Sequence, residues 1–245
     1  MRVLYVPGTP KKAASASRLM MEAAMARSGG QEIALPPEGA PAGAWEGFLS
    51  ADAVVLSFPL YVDHLPAPLL ASLELAADMA RRARAEDPSL RLPRLYAMIN
   101  NGFYEPAHSL HAARSLELFC RDSGLAWSGA LLAGGGPFAS AVPWLFRKRV
   151  FPFGRLRRAL DLFAAKIGAL EPAGITEVRL PLPRRLYVLI ANAFWRVLAL
   201  KGRVPLKRLY APALGPDELS SDAQPGAAGA PEAAGDRGEE GSSGP

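Results

Sequence analysis

The chain has 245 residues, of which 50% are hydrophobic and 21% charged, and it contains a single cysteine. This composition can bury the core of one α/β domain with extensions, or of two small domains. The lone Cys120 excludes a disulfide framework and a multi-cysteine metal site, and its apolar helical surroundings favour a buried structural thiol over a nucleophile.

The net charge of +5 is distributed unevenly along the chain. Residues 1–146 carry a net charge of −1, whereas residues 147–208 hold 15 basic and 3 acidic side chains, a net charge of +12. Residues 209–245 hold 1 basic and 7 acidic side chains, a net charge of −6. A basic segment this concentrated predicts an anionic partner or a solvated face.

Apolar runs and helical repeats alternate over the first 170 residues. Strands are predicted at 2–6, 31–35, 53–58, 94–99 and 125–133. Helices are predicted at 18–27, 45–50, 68–84, 107–122 and 155–170, the fourth stopped by Gly124. Strands alternating with helices predict an α/β fold with a doubly wound, five-stranded parallel sheet.

Three regions are predicted along the chain. Residues 1–172 form the α/β domain, and residues 173–210 form a basic, apolar C-terminal extension with helical character. Residues 211–245 are rich in Gly, Ala, Pro and acidic side chains, too poor in apolar bulk to offset the entropy of ordering, and are predicted to be a disordered tail. Met1 leads straight into the first strand, which with the single cysteine predicts a cytoplasmic protein.

Three loops follow the first, third and fourth strands and begin at Gly8, Pro59 and Asn100. Right-handed crossovers place every strand-to-helix loop of such a sheet on its carboxyl edge. The three loops are therefore predicted to face one crevice, and the sequence predicts a ligand site there.

The first of these loops has the residue types of a phosphate site. Small hydroxyl residues before the first helix leave backbone N–H groups pointing outward, at the positive end of the helix dipole. An ordinary turn with a serine N-cap accounts equally well for the same residues. The residues of this stretch are Gly8, Thr9, Pro10, Lys11, Ser15, Ala16 and Ser17.

Taken together, the three loops resemble those of the flavodoxin-like NAD(P)H-dependent FMN reductases and related small flavin oxidoreductases. In that group the first loop carries Gly-Ser-Pro, a basic residue and Ser-x-Ser, and the second carries Pro-x-Tyr, while one branch has Asn-x-Gly-Phe-x-Glu in the third. The second and third loops here match at Pro59, Leu60, Tyr61, Val62, Asn100, Asn101, Gly102, Phe103 and Glu105. The likeness covers residues 1–170, with departures at Asp63, usually Gly, and at Leu70, often Lys.

The resemblance implies that the first loop holds the phosphate of FMN and that the other two hold its ring. It further implies that NAD(P)H reduces the flavin, which then reduces a quinone, free flavin, nitro or azo acceptor. No side chain is then expected to act as nucleophile or general base, because the flavin carries the chemistry. A homodimer is expected by analogy.

Other chemistry is disfavoured by the motifs. No Gly-x-Gly-x-x-Gly follows the first strand and no Gly-Lys-Ser/Thr loop is present, so direct dinucleotide and nucleoside triphosphate sites are not expected. His108 and His111 lie three apart without an evident third ligand, so no metal site is predicted. His64 either borders the ring or is an ordinary loop residue, and Glu105 either contacts the flavin or begins a helix.

The basic region from residue 144 to residue 208 has two interpretations. Its apolar stretch 186–200 is shorter than the ~20 residues that cross a bilayer, so it is either a packed core or dimer helix, or an interfacial element. In the second case basic side chains bind anionic lipid while Trp144, Phe151, Phe194 and Trp195 insert. Nucleic acid is disfavoured because no recognised reading module surrounds the charge.

Three functional hypotheses follow. The first is an FMN-dependent reductase, peripheral to the membrane in the interfacial case. The second is a non-enzymatic FMN-binding electron carrier, which is disfavoured because carriers of this fold are usually acidic around the ring. The third is a membrane-surface protein with a degenerate site.

Overall fold

The computed structural model describes residues 1–9, 15–35 and 43–210, without the side chains of 43–45. Pro10 and Lys11 of the predicted phosphate loop, part of the predicted connection after the second strand, and the tail 211–245 lie outside the described residues.

A parallel sheet organises the described chain. Its strands are β1 (Val3–Pro7), β2 (Gln31–Glu32), β3 (Ala53–Pro59), β4 (Arg94–Asn100), β5 (Ala126–Ala133) and β6 (Gly174–Val178). They lie in the order β2-β1-β3-β4-β5-β6, and all neighbours pair in parallel. The doubly wound α/β prediction is confirmed, whereas the prediction of five strands is wrong.

The sixth strand was missed because its flanking residues carry helix-stop signals. Pro172 and Gly174 end the preceding helix, but Gly174 also begins β6 with a φ of 64°. β6 pairs with β5 from Gly129↔Gly174 to Ala133↔Val178. Only five residues of modest hydrophobicity form this edge strand, which is too few for a distinct periodic pattern.

Eight helices and two 3₁₀ turns are described. The helices are α1 (Ala16–Ser28), α2 (Gly43–Leu49), α3 (Ala67–Glu86), α4 (Leu110–Ser123), α5 (Gly136–Ala141), α6 (Pro143–Arg147), α7 (Gly154–Gly168) and α8 (Arg184–Lys201). The 3₁₀ turns are Pro106–Ser109 and Leu206–Tyr210. Gly124 ends α4 in the left-handed conformation, as its position in the sequence predicts. The short α5 and α6 were not predicted.

The core is formed by the two faces of the central strands. β3 and β4 are apolar and buried along nearly their whole length, as expected for strands covered by helices on both sides. Alternate residues such as Leu56 and Ala97 meet α3 and α4, while Tyr96 contacts Phe163 of α7 on the opposite face. Cys120 is buried in the α3–α4 layer, and burial raises the pKa of its thiol to about 12.

The chain divides into two compact units. The first comprises residues 1–188 and includes β6, which lies in the segment predicted as an extension. The second comprises residues 189–245, of which 189–210 are described, and contains most of α8 and the last 3₁₀ turn. No described helix is both long enough and apolar enough to span a membrane.

Candidate cofactor-binding site

The three predicted loops leave the sheet at the same edge. Register pairs Pro7 with Ser57, Pro59 with Asn100, and Asn100 with Ala133, so the carboxyl ends of β1, β3, β4 and β5 lie side by side. β1 and β3 are neighbours whose following strands lie on opposite sides, which makes their junction the topological switch point of the sheet. Open α/β sheets bind ligands in the crevice at such a point.

Gly8 allows β1 to approach this junction closely. Its N–H donates to the Ser57 carbonyl over 2.9 Å and extends the ladder by one residue. A Cβ at Gly8 would lie 2.5 Å from Leu69 Cδ2 and 2.9 Å from Phe58 Cβ, far inside contact distance. Glycine is therefore required here by packing, independently of any ligand.

Two serine hydroxyls lie together at the start of α1. Ser15 is the N-cap and accepts a hydrogen bond from the Arg18 N–H, and its Oγ lies 3.1 Å from Ser17 Oγ. Ser57 on β3 donates to the Ser17 carbonyl over 2.8 Å, which fixes the helix start against the sheet. The first N–H groups of a helix have no intrahelical acceptor. Two hydroxyls, of which that of Ser17 is buried, thus lie beside the first N–H groups of α1, and these are the donor types that a phosphate requires.

The second loop is a tight hairpin. Tyr61 and His64 exchange two backbone hydrogen bonds of 3.0 and 3.1 Å, and the two residues between them, Val62 and Asp63, have φ angles of 49° and 60°. Val62 is 99% exposed, so the turn presents an apolar side chain entirely to solvent. The Leu60 N–H donates to the Asn100 carbonyl and ties this loop to β4.

His64 connects the second loop to α4. Its Nε2 lies 2.9 Å from Ser115 Oγ, and Ser115 donates its own proton to the His111 carbonyl over 3.0 Å. Ser115 Oγ therefore accepts, and the His64 Nε2 donates. The imidazole of His64 therefore has a partner within the protein. Asp63 and Leu70, the two departures from the family pattern, are both exposed.

Asn101 shapes the third loop from within. Its backbone N–H donates to Ala133 O, and its carbonyl accepts from the Gly136 N–H. Its Oδ1 accepts from the Phe103 N–H over 2.9 Å, and its Nδ2 donates to Ser109 Oγ over 3.0 Å. The side chain is buried, and every polar group of Asn101 is thus engaged inside the protein. Its predicted role as a cofactor contact stays a prediction.

The segment after β6 covers the far side of this loop. Tyr187 Oη donates to the Gly102 carbonyl over 2.7 Å, and its ring packs on those of Tyr104 and Phe138. Arg184 Nε lies 2.9 Å from Glu105 Oε1, and this hydrogen bond lowers the pKa of the carboxyl group. Glu105 therefore has a partner that neither sequence interpretation included.

Asn100 contributes a buried acceptor without a partner. Its side-chain Oδ1 has no hydrogen-bond partner among the described residues, although Asn100 is only 5% exposed. Gly136 makes the position tight, because a Cβ there would lie 2.5 Å from Asn100 Nδ2. A buried carbonyl oxygen without a donor costs free energy, so a ligand N–H or a water at the end of β4 would stabilise it.

A cleft opens beside the end of β1. It has a volume of about 210 Å³ and lies between the ends of β1 and β2 and the first turns of α3. Thr9 and Ser72 are its hydroxyl-bearing residues, and the other lining residues are largely apolar. The cleft adjoins the predicted phosphate loop.

Several side chains of this site suit a flavin mononucleotide, whereas the backbone of the third loop offers it few free groups. The hydroxyl pair at the start of α1 and the free Asn100 oxygen suit a phosphate and a polar ring edge. Phe103, half-exposed and packed on His108 at 4.4 Å between ring centroids, offers a flat apolar face. The backbone of the third loop, by contrast, is mostly engaged internally. Among the described residues, no group of three His, Cys, Asp or Glu side chains could hold a metal ion.

Comparison with solved structures identifies proteins that share the fold of this chain. An NADPH-quinone reductase from P. pentosaceus superposes with a TM-score of 0.50 at 18% identity, over 67% of this chain and 98% of that one. An azoreductase from Bacillus anthracis Sterne gives 0.46 at 18% identity, over 69% and 98%. An NADH:FMN oxidoreductase gives 0.44 at 15%, over 67% and 89%.

The resemblance to flavodoxin-like reductases is confirmed as a likeness of fold. Identities this low show the fold alone. No protein-family model and no curated protein matches the sequence.

Proposed function

We propose that the chain is an FMN-binding oxidoreductase that passes electrons from NAD(P)H to a quinone, flavin, nitro or azo acceptor. The observation that carries this proposal is the Ser15–Ser17 hydroxyl pair at the start of α1, located at the switch point of the sheet. Such an arrangement binds the phosphate of a nucleotide through N–H and O–H donors without a metal.

The chain's own residues divide the binding between them. Ser15, Ser17 and Thr9 hold the phosphate, and Tyr61 and Val62 of the hairpin lie beside the ring. Asn100 Oδ1 accepts a hydrogen bond from the polar edge of the ring. A bound flavin would supply the hydride and electron transfer between nicotinamide and acceptor, so these residues would supply position and electrostatics rather than a catalytic side chain.

The co-substrate and the assembly are part of the same proposal. The name of the quinone reductase with the same fold is consistent with NADPH as donor and a quinone as acceptor. A homodimer is proposed by analogy with flavin reductases.

The test begins with the absorbance spectrum of the purified chain, before and after FMN is added and excess removed by gel filtration. We expect a flavin spectrum near one FMN per chain, and FMN-dependent oxidation of NAD(P)H when a quinone is supplied. Bound flavin without such turnover would instead support the electron carrier. No flavin after loading would overturn both.

A further inference from the structure

The second unit contains an exposed apolar helix, and none of its residues is among those proposed to bind the flavin. Of the 13 residues from Leu189 to Lys201, ten are apolar, and the polar ones are Asn192, Arg196 and Lys201. Asn192 and Arg196 are four apart and share one narrow stripe, and apolar side chains occupy the rest of the circumference as far as Lys201, the last residue of the helix. A helix that is apolar nearly all round is normally buried in a core or in lipid.

Most side chains of this helix are exposed. Leu189, Trp195 and Leu200 are 66%, 60% and 63% exposed, and Ala199 is the one buried residue of the helix beyond Tyr187 among the described residues. The following turn continues the pattern, with Leu206, Leu209 and Tyr210 exposed. An exposed apolar surface of this extent marks an interaction site.

The charge of the same segment indicates which partner covers it. Residues 189–210 contain five basic side chains and no acidic one: Arg196, Lys201, Arg203, Lys207 and Arg208. None of the five forms an ion pair with any residue that the structure describes. A second copy of this segment would bring like charges together, whereas an anionic surface with an apolar interior complements both features.

The basic stretch 144–158 of the first unit differs in this respect. Trp144 and Phe151 are exposed there, but Arg147 lies 3.5 Å from Glu22 and Arg149 lies 2.8 Å from Asp161. Two of the basic side chains there thus have carboxylate partners, unlike any of the five in residues 189–210. The inference is therefore confined to residues 189–210.

We propose that residues 189–210, called here the basic apolar segment, bind the surface of an anionic lipid bilayer. The helix lies along the interface with Phe194 and Trp195 among the acyl chains and Asn192 and Arg196 toward water. The basic side chains around and after it contact the lipid headgroups. This proposal is independent of flavin binding.

Cosedimentation of the full chain with vesicles tests it. The probes are vesicles of equal parts phosphatidylcholine and phosphatidylglycerol, and vesicles of phosphatidylcholine alone. We expect strong binding to the first, at least about tenfold weaker binding to the second, and release as salt is raised from about 0.05 to about 0.5 M. Absence of binding at low salt, or equal binding to both vesicles, would overturn the proposal.

Matched variants locate the surface. The triple variant R203Q/K207Q/R208Q should bind anionic vesicles about 100-fold more weakly, since each basic side chain near the surface contributes about a factor of five. R27Q/R82Q/R91Q removes three exposed basic residues of the first unit, the same charge, and should bind nearly as the parent does. Equal weakening by both triples would mean that net charge alone acts, which contradicts the proposal.

Fluorescence tests the insertion separately. Vesicle binding should shift the tryptophan emission to shorter wavelength, and Trp195→Phe should lose this shift while retaining binding. Trp127→Phe, a change in the sheet, should keep it. The competing occupant is a second copy of the chain. A lipid-free dimer that F194A/W195A converts to a monomer, combined with no vesicle binding, would assign the segment to self-association and overturn the proposal.

Discussion

Val62 and Asp63 turn the second loop with both φ angles positive, at 49° and 60°. A β-branched residue is an outlier in this region of backbone space, whereas Asp tolerates it better. The left-handed conformation costs roughly 1–2 kcal/mol for an ordinary L-residue. The Val62 side chain is exposed and buries no apolar surface that would offset this cost. The turn therefore lowers the free energy of unfolding of the folded chain.

Replacing this pair by the preferred turn sequence tests that cost. The variant V62N/D63G places Asn-Gly in a two-residue hairpin, and we expect its free energy of unfolding to rise by about 1–2 kcal/mol. Chemical denaturation measures the change. Ala71→Gly, at an exposed position inside α3, is the control and should lower stability by about 0.5–1 kcal/mol. An unchanged or lower stability of the hairpin variant would show that the turn is not strained.

The proposed phosphate site can be tested at a single atom, the hydroxyl oxygen of Ser17. Ser17→Ala removes a buried hydroxyl, and loss of one hydrogen bond to a charged group should weaken FMN binding by about tenfold or more. Quenching of flavin fluorescence on titration measures the dissociation constant. Ser140→Ala is the matched control, because that hydroxyl donates only to the Pro137 carbonyl of its own helix. Equal affinities for both variants would place the phosphate elsewhere.

The third loop is an element held from two sides. Asn101 supports it from inside through four sets of hydrogen bonds, and Tyr187 and Arg184 hold it from outside. The motif Asn-x-Gly-Phe-x-Glu was recognised in the sequence, but the partners of Asn101 and Glu105 were not. The side chain of Asn101 bonds within the loop and the following turn, at Phe103 and Ser109. Its backbone partners Ala133 and Gly136, and Arg184 beside Glu105, are distant in sequence and carry no local signal.

Asn101→Ala tests the inner support. It leaves the part-buried Phe103 N–H and the buried Ser109 hydroxyl without their partner, and the loss of a buried partner costs about 1–3 kcal/mol. We expect the free energy of unfolding to fall by about 2–3 kcal/mol, measured by urea denaturation. Asn192→Ala, at an exposed asparagine of α8, should not lower it, since alanine is the better helix former. A loss no larger than that of the control would contradict the inner-support role.

Arg184→Gln tests the outer support through the titration of Glu105. The hydrogen bond from Arg184 lowers the pKa of Glu105 in the folded chain, so the pair contributes stability above the ordinary carboxyl pKa and loses it as pH falls through the lowered value. The variant should raise that pKa toward its ordinary value. Carboxyl-carbon NMR titration measures it, with Arg185→Gln as control. An unmoved Glu105 pKa would show that the pair does not form in solution.

At the scale of the whole molecule, charge separates along the chain. The basic apolar segment precedes a tail, residues 211–245, that carries seven acidic and one basic side chain. Covalently attached acidic residues compete with anionic headgroups for the same cations, with a strength that falls as salt is added.

Deletion of residues 211–245 should therefore strengthen binding to anionic vesicles, by several-fold at low salt and less at high salt. Cosedimentation measures this directly. A chain of full length whose seven tail carboxylates are replaced by Gln and Asn is the control for tail length and should bind as the truncated chain does. Weaker binding of either chain than of the parent would contradict competition by the tail.

Much of the molecule could be predicted from sequence because its central strands are continuous apolar runs and its helices have clear stops. β3 and β4 were placed within one residue of their observed ends, and Gly124 ended α4 as expected. β6 and the contacts of the third loop could not be predicted, because an edge strand and long-range hydrogen bonds depend on tertiary neighbours. The hydroxyl pair at α1 was anticipated because N-cap chemistry is local.

The single thiol, that of Cys120 in α4, is buried against α3 and stays protonated across the whole working range of pH because burial raises its pKa to about 12. Maleimide and other alkylating reagents should not react with the native protein. Any cysteine introduced at the surface then becomes the one attachment point for a dye or spin label, so distances and movements can be followed without first removing a background thiol.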